Sequence, residues 1–370
     1  MKHPALEPLR LKNTMLPNRA VVAPMSRVST HGDGVATSNM ATYYADFARG
    51  GFGLIIGEGT YTDTRFSIGY ARQPGLVNDA QEAGWAKVVD AVHRHGGHMI
   101  AQLMHAGALS QTLPEPAGPS AIQPLRRMMP EYGGSGPWPV PKAMTQDHIA
   151  EAVDGFADSA LRAERAGFVG VEIHAANGYL IDQFLSASTN HRSDAYGGPL
   201  EQRVRLATET IEAVKKVVSP DFIVGIRLSQ GKVNDFDYRW PGGADDARLL
   251  FDAVARAGAD YIHLASEGKG WRHAAVLADG TSLTALARHR TGLPVIANGG
   301  LHDPEMARWI LTEGHADLIS LGTAALTNPD WPEKLRQNSP LVPFDHHMLS
   351  PMATIEAGWA WLAQSREGSR

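Results

Sequence analysis

One local pattern recurs along the chain. A polar, charged stretch with helical spacing ends in Gly, and a short apolar run rich in β-branched residues follows. Arg49-Gly50-Gly51 precedes Leu54-Ile55-Ile56, and His95-Gly96-Gly97 precedes Met99-Ile100-Ala101. Ala166-Gly167 precedes Val169-Gly170-Val171, and Ala257-Gly258 precedes Tyr261-Ile262-His263. Gly292 precedes Pro294-Val295-Ile296, and Gly314 precedes Leu318-Ile319-Ser320. A helix commonly ends through a left-handed residue, which Gly occupies without a Cβ clash. Runs this short and this apolar fit strands covered on both faces, as in a parallel sheet. Ala20-Val21-Val22-Ala23 and Phe222-Ile223-Val224-Gly225-Ile226 keep the rhythm without the Gly cap, so the pattern predicts eight strands.

The intervening segments read as helices, among them Asp147 to Ala166 and Leu200 to Val218. Asp303-Pro304-Glu305 reads as an N-cap followed by Pro in the first turn. Eight alternating βα units predict the α/β class and a single (β/α)8 TIM barrel, ahead of a doubly wound open sheet. The expected barrel runs from about residue 18 to 338, within one domain covering 1–370. A helical tail follows over 339–370, with its helix from Ala353 to Gln364. The helix-to-strand joins are short, whereas three strand-to-helix joins are long: Gly107 to Thr145, Asn177 to Pro199, and Ser229 to Gly242. In a barrel these long loops lie on the C-terminal face, where active sites are built. The first of them, centred on Pro137-Trp138-Pro139, fits a lid, a partner contact or plain surface packing.

Composition narrows the function classes. Hydrophobic residues make up 43% and charged residues 20% of the 370, which excludes a disordered or fibrous chain. The formal net charge of −5 leaves no electrostatic footprint for nucleic acid or an anionic membrane. Cysteine is absent, which excludes disulfides, iron–sulfur ligation and a thiol nucleophile, and is compatible with the cytoplasm. Met1 to Asn13 holds no apolar secretory segment, and no run of about 18 apolar residues predicts a span. No GxGxxG follows a strand, and Walker A, HExxH and GxSxG patterns are missing. No metal site is expected, and His346-His347 reads as a solvated feature of the tail.

Polar residues collect where the strands end. They are Ser26-Arg27, Gln102 with His105, Glu172 and His174 followed by Asn177-Gly178-Tyr179, Arg227, Asn298-Gly299-Gly300, and Gly322-Thr323. Singly, each has a plain structural role: His174 as a satisfied core histidine, Arg227 as the partner of a carboxylate such as Glu172. Their joint position on one face favours a site. Glycines after the seventh and eighth strands suit a phosphate held by backbone N–H groups. A phosphate there, with Gln102 and Arg227 over a polar ring, suits flavin mononucleotide.

These residues resemble the old yellow enzyme family of FMN-dependent ene-reductases. The resemblance runs from Leu6-Glu7-Pro8-Leu9-Arg10-Leu11-Lys12-Asn13 to about Pro332. It is most specific over Val171-Glu172-Ile173-His174-Ala175-Ala176-Asn177-Gly178-Tyr179-Leu180 and continues through Asn190, Arg192, Asp194 and Tyr196-Gly197-Gly198. It implies a (β/α)8 barrel with non-covalent FMN and NAD(P)H as hydride donor. By position, Ser26 contacts flavin O4, Gln102 the pyrimidine edge, and Arg227 the N1/O2 side. Ala23, Pro24, Met25, Gly57, Gly299, Gly300, Gly322 and Thr323 complete the implied cofactor set. His174 and Asn177 bind the substrate's activating oxygen, Tyr179 protonates Cα, and Met104 shapes the substrate pocket. The implied substrates are α,β-unsaturated carbonyl or nitro compounds. Three departures stand out: Thr323 where relatives carry a phosphate-gripping Arg, Ala108 where they often carry Arg, and Met104 where some carry Trp. A barrel that has lost flavin and only binds small molecules is the reading Thr323 favours. A dienoyl-CoA reductase relative is the other alternative, and zero cysteines oppose its cluster-bearing form. The tail beyond Pro340 can reach a neighbouring copy, which leaves a homo-oligomer open.

Overall fold

The computed structural model describes residues 2–266 and 268–367. Among these, the eight short runs are strands: β1 (Ala20–Val22), β2 (Leu54–Ile56), β3 (Met99–Met104), β4 (Gly170–Asn177), β5 (Ile223–Lys232), β6 (Tyr261–Ala265), β7 (Val295–Asn298) and β8 (Leu318–Leu321). They pair in parallel in the order β2-β1-β8-β7-β6-β5-β4-β3. The ring closes where Ile55 of β2 faces Met99 of β3 and Ile56 faces Ile100. That closing pair makes the sheet a (β/α)8 barrel and rules out the open doubly wound alternative.

Helices alternate with the strands: α1 (Ser38–Arg49), α2 (Asp79–His93), α3 (Gln146–Arg165), α4 (Arg205–Val217), α5 (Ala244–Arg256), α6 (Leu283–Thr291), α7 (Pro304–Thr312) and α8 (Trp331–Gln337). Thr37, Asn78, Thr145, Ser282 and Asp303 each accept a backbone N–H of the first turn they precede, which satisfies donors the helix itself leaves orphaned. The helix expected from Leu200 is interrupted at Val204, so that a short turn, Leu200–Arg203, precedes α4. The glycines that end the helices behave as the pattern requires. Gly51, Gly96, Gly167, Gly258, Gly292 and Gly314 have φ between 69° and 100°.

Successive strand residues face opposite sides, so each strand carries two messages. One set packs outward against the helices: Val22, Ile55, Ala101, Val171, Val224, Ile262, Val295 and Ile319. The other set fills the barrel: Val21, Leu54, Ile56, Ile100, Ile223, Tyr261, Ile296 and Leu318. Leu11 and Leu16, from the antiparallel hairpin Leu9–Leu11 with Thr14–Leu16, join this inner cluster and floor the barrel at its N-terminal end. Two residues further along, the inner set turns polar. Ile100 is followed by Gln102, Tyr261 by His263, Ile296 by Asn298 and Leu318 by Ser320, while β4 places Glu172 and His174 and β5 places Arg227 in register with His174. The apolar tier holds the barrel together, and the polar tier above it forms the bottom of the site.

The long loop after β3 folds through short turns at Gly107–Leu109 and Pro130–Tyr132. The tail forms a turn at His346–Leu349 and a helix at Ile355–Glu367. It is tied to the loop after β1: the buried Arg27 guanidinium donates to the Thr354 carbonyl at 2.7 Å, and the Ile355 N–H donates to Ser29 Oγ at 2.9 Å. Among the described residues, no helix is long and apolar enough to cross a membrane.

Candidate active site

A cleft of about 700 Å³ opens at the C-terminal ends of the strands. It is lined by Ala23, Pro24, Met25 and Ser26 after β1, and by Gln102 and Met104 of β3. His174, Asn177 and Tyr179 come from β4 and its loop, and Arg227 from β5. Gly299 and Gly300 follow β7, and Gly322 and Thr323 follow β8. The cleft thus brings together every residue of the implied cofactor, substrate and catalytic set except Gly57, while Arg27, His105, Glu172 and Gly178, also noted at the strand ends, lie outside its lining. Gly57 N–H donates to the Ile100 carbonyl at 2.8 Å and stays in the barrel wall. The chain continues alongside β3, pairing Thr60 with Leu103, so Gly59 reaches the cleft edge instead. A Cβ on Gly59 would lie 2.6 Å from Met104 Sδ, so the two pack without a side chain between them.

The reactive lip is built by a tight turn. Asn177 has φ +62° and Gly178 φ +87°, left-handed conformations that Asn and Gly adopt most easily. Asn177 N–H donates to Ser229 Oγ at 2.8 Å, and Gly178 N–H to Asp182 Oδ2 at 2.7 Å. Gln183 staples the turn to the loop after β3. Its Nε2 donates to the Gly178 carbonyl at 2.7 Å, and its Oε1 accepts from Ala108 N–H at 3.0 Å. Ala108 therefore serves through its backbone, where relatives often carry an arginine side chain. The outcome is that the His174 and Tyr179 rings meet edge to face, with centroids 4.9 Å apart.

Beneath the cleft lies a network only partly visible in the sequence. Glu172 is fully buried and accepts from Gln102 Nε2 at 2.8 Å, Tyr261 Oη at 3.0 Å and His263 Nδ1 at 2.8 Å. His263 Nε2 lies 2.8 Å from Ser320 Oγ, which also accepts from Asn298 Nδ2 at 3.0 Å. Burial alone would raise the Glu172 carboxyl; His263, Arg227 and the Gln102 hydrogen bond together hold it below its usual value. A fixed carboxylate therefore orients the Gln102 amide and compensates the Arg227 charge. His263, Tyr261 and Ser320 escaped the sequence reading because they lie inside apolar strands. The two-residue alternation of β6 and β8 was the signal that could have found them.

His174 is held well below its usual pKa by burial, then by the positive Arg227 and by His263. A neutral imidazole offers an N–H to an oxygen without the cost of a buried charge. Its Nδ1 has no hydrogen-bond partner among the described residues, so it is available to a ligand.

The donor set fits FMN. Gln102 and Arg227 bring an amide and a cation to the cleft, with the Ser26 hydroxyl in the same lining, a set that would suit the polar edge of a flavin ring. At the other end Gly299 sits so close to Ser266 and Trp271 that a Cβ would meet both at 2.6 Å, leaving its backbone bare to the cleft. Thr323 brings a hydroxyl there and no charge. Basic side chains do stand nearby: Arg127, His302 and His346 line the same cleft, and Lys269 and Arg272 line an adjoining groove that shares Gly270, Gly299 and Gly300. Phe344 and His346 come from the tail, which therefore completes its own chain's site. His346 is exposed, yet it borders the cleft, a place the sequence reading did not assign to it.

Comparison with known proteins agrees with this geometry. The family model described as NADH:flavin oxidoreductase / NADH oxidase matches residues 5–341. The chain is 32% identical over 361 residues to 12-oxophytodienoate reductase 7 of Oryza sativa subsp. japonica, covering 91% of this chain and 89% of that protein. It is 31% identical over 348 residues to an NADH oxidase of Thermoanaerobacter brockii, covering 89% of this chain but 50% of that longer protein. Among solved structures, morphinone reductase in complex with tetrahydroNAD superposes with a TM-score of 0.82 at 34% identity, covering 92% of this chain and 93% of that one. An old yellow enzyme homologue from Zymomonas mobilis gives 0.83 at 32% identity, covering 95% and 99%. These matches set aside the flavin-free barrel. The chain belongs to the NADH:flavin oxidoreductase / NADH oxidase family and is an old yellow enzyme-type oxidoreductase that uses FMN with a nicotinamide hydride donor.

Proposed function

We propose that the protein is an ene-reductase, reducing the C=C bond of small α,β-unsaturated carbonyl or nitro compounds. The observation that carries the reading is the convergence of His174, Asn177 and Tyr179 on one lip of a cleft whose floor holds Gln102 and Arg227. Relatives named as reductases of 12-oxophytodienoate and morphinone support a carbonyl-bearing acceptor. The chemistry FMN supplies when bound is hydride exchange, from NAD(P)H and on to Cβ of the activated alkene. Gln102 and Arg227 would hold the polar edge of its ring, and the Ser26 hydroxyl would offer it a hydrogen bond. His174 and Asn177 donate to the substrate oxygen, which concentrates positive potential where negative charge develops. Tyr179 delivers a proton to Cα. Met104, an unbranched thioether, shapes the adjoining wall and adapts to substrates of differing outline. The cleft serves nicotinamide and alkene in turn, which explains why no Rossmann motif is needed. The cysteine-free chain suits a reducing cytoplasm.

The test separates the two halves of the cycle. Tyr179→Phe is expected to leave bleaching of the flavin band by NAD(P)H at its normal rate. Return of the band with cyclohexenone should slow by about 10²-fold or more, the usual worth of a placed proton donor. Equal slowing of both halves would refute the assignment of Tyr179.

A further inference from the structure

The loop after β2 carries a tyrosine that the mechanism above does not use. Tyr70 is 1% exposed and does not line the cleft. Its backbone is locked by Gln73, whose Oε1 accepts from Gly69 N–H at 2.7 Å and whose Nε2 donates to the Gly59 carbonyl at 2.7 Å. Its ring packs on Tyr132 of the long β3 loop, with centroids 4.7 Å apart and planes tilted by 33°. Val28, Met104, Ala106, Leu109 and Trp138 enclose the same cluster. Held in this cluster, the Tyr70 hydroxyl is hydrogen-bonded to the hydroxyl of Tyr179.

A phenol has one proton to give and can accept others. If Tyr179 directs its proton at a substrate carbon, the bond between the two hydroxyls must run from Tyr70 to Tyr179. We propose that Tyr70 is a positioning residue that donates its O–H to Tyr179 Oη and stabilises the phenolate left there by proton transfer. This rests on the reading of Tyr179 as the proton donor. In the step itself, a hydride derived from NAD(P)H has already added to Cβ and left an enolate. The enolate's electron pair forms the Cα–H bond, the Tyr179 O–H bond breaks, and the negative charge passes to Tyr179 Oη. A solvent proton later restores the phenol. A neutral hydrogen bond becomes charge-assisted as that charge arrives, so it is stronger in the transition state than before it. Tyr70 is suited to remain the donor. Burial, then the neighbouring Tyr179, Tyr132 and Glu131, raise its pKa well above that of an ordinary tyrosine, so it keeps its proton.

Tyr70→Phe removes the hydroxyl and keeps the ring. In the FMN-loaded enzyme, enone reduction should fall about tenfold, the worth of one hydrogen bond to a charged group. The solvent deuterium isotope effect on that step should rise, because proton transfer becomes slower relative to other events. Flavin reduction by NAD(P)H should be unchanged. So should reduction of a quinone, an acceptor that needs no proton delivered to carbon; a packing defect would slow it as well. Tyr70→Phe placed on top of Tyr179→Phe should cost nothing further, since the two act as one unit. Equal losses with enone and quinone, or a further tenfold loss in the double variant, would overturn the proposal. A slow Tyr179→Phe beside a normal Tyr70→Phe would overturn the role of Tyr70 alone. A normal Tyr179→Phe would overturn the proton-donor reading and this one with it.

Discussion

Thr323 stands where the family resemblance implies, in many members, an arginine on the cofactor phosphate. The cleft it lines also holds Arg127, His302 and His346, and the lysine and arginine of the adjoining groove already have partners. Lys269 is paired with Asp237 at 2.5 Å, and Arg272 stacks over Trp309 at 4.9 Å. Thr323→Arg is therefore expected to tighten FMN binding. A charged, bidentate grip on phosphate should lower the dissociation constant by about tenfold. Fluorescence titration of apoprotein with FMN measures this, and the gain should shrink as salt is raised. An unchanged constant would mean that Arg127, Lys269 or Arg272 already supplies the charge.

At the scale of the element, β5 shows how a strand pattern positions chemistry. Gly225 breaks an otherwise β-branched run, and the reason is its register partner Tyr261 on the neighbouring strand β6. A Cβ at this position would overlap the Tyr261 ring, whose hydroxyl donates to Glu172. Gly225 thus makes room for the aromatic side chain that separates the apolar tier from the carboxylate above it. Gly225→Ala is expected to cost about 1–3 kcal/mol through overpacking and to lower the melting temperature by a few degrees. The same displacement should disturb Glu172 and, through it, Gln102, so FMN affinity should fall in parallel with stability. Loss of stability with undiminished FMN affinity would show that the carboxylate tolerates the shift.

At the scale of the whole molecule, Glu58 joins segments far apart in the chain. Its carboxyl accepts the N–H groups of Arg27 at 2.8 Å and Val28 at 3.1 Å in the β1 loop, and the Tyr44 hydroxyl of α1 at 3.3 Å. Arg27 in turn holds the tail at Thr354. Burial pushes Glu58 from 4.5 up to about 7, against the pull of the Arg27 and Val28 hydrogen bonds and the Arg27 charge. The folded state therefore binds this proton more tightly than the unfolded chain does. Its stabilising effect is complete below about pH 4.5 and is lost as the pH rises through about 7. The shift corresponds to roughly 3 kcal/mol at most. The buried neutral His174 acts in the opposite sense, because its pKa is lowered and its contribution is lost as pH falls. Comparing wild type with Glu58→Gln isolates the Glu58 effect. Denaturant unfolding from about pH 5 to about pH 8 should show the variant gaining on wild type as pH rises. A constant difference across that range would place the Glu58 pKa outside it.

Several features followed from the sequence by itself. Short apolar runs, six of the eight preceded by a helix-ending glycine, locate the strands because a left-handed turn and a doubly buried strand each demand particular residues. The strand-end residues converge because a closed parallel barrel delivers all its C-terminal ends to one face. The Val171–Leu180 stretch carried the family and its cofactor. Only the tertiary structure decided the rest. Whether Gly57 or Gly59 reaches the cleft depends on how far the chain follows β3 before leaving it. Glu172, His263 and Ser320 come from three strands, and their hydrogen bonds exist only once the barrel closes. Tyr70 and Tyr179 are 109 positions apart, and no local pattern encodes their meeting. The tail reaches its own cleft because Arg27 anchors it there. Local preferences are written along the chain, but pairings between distant side chains are selected by packing, where each contact is possible only after the others have formed.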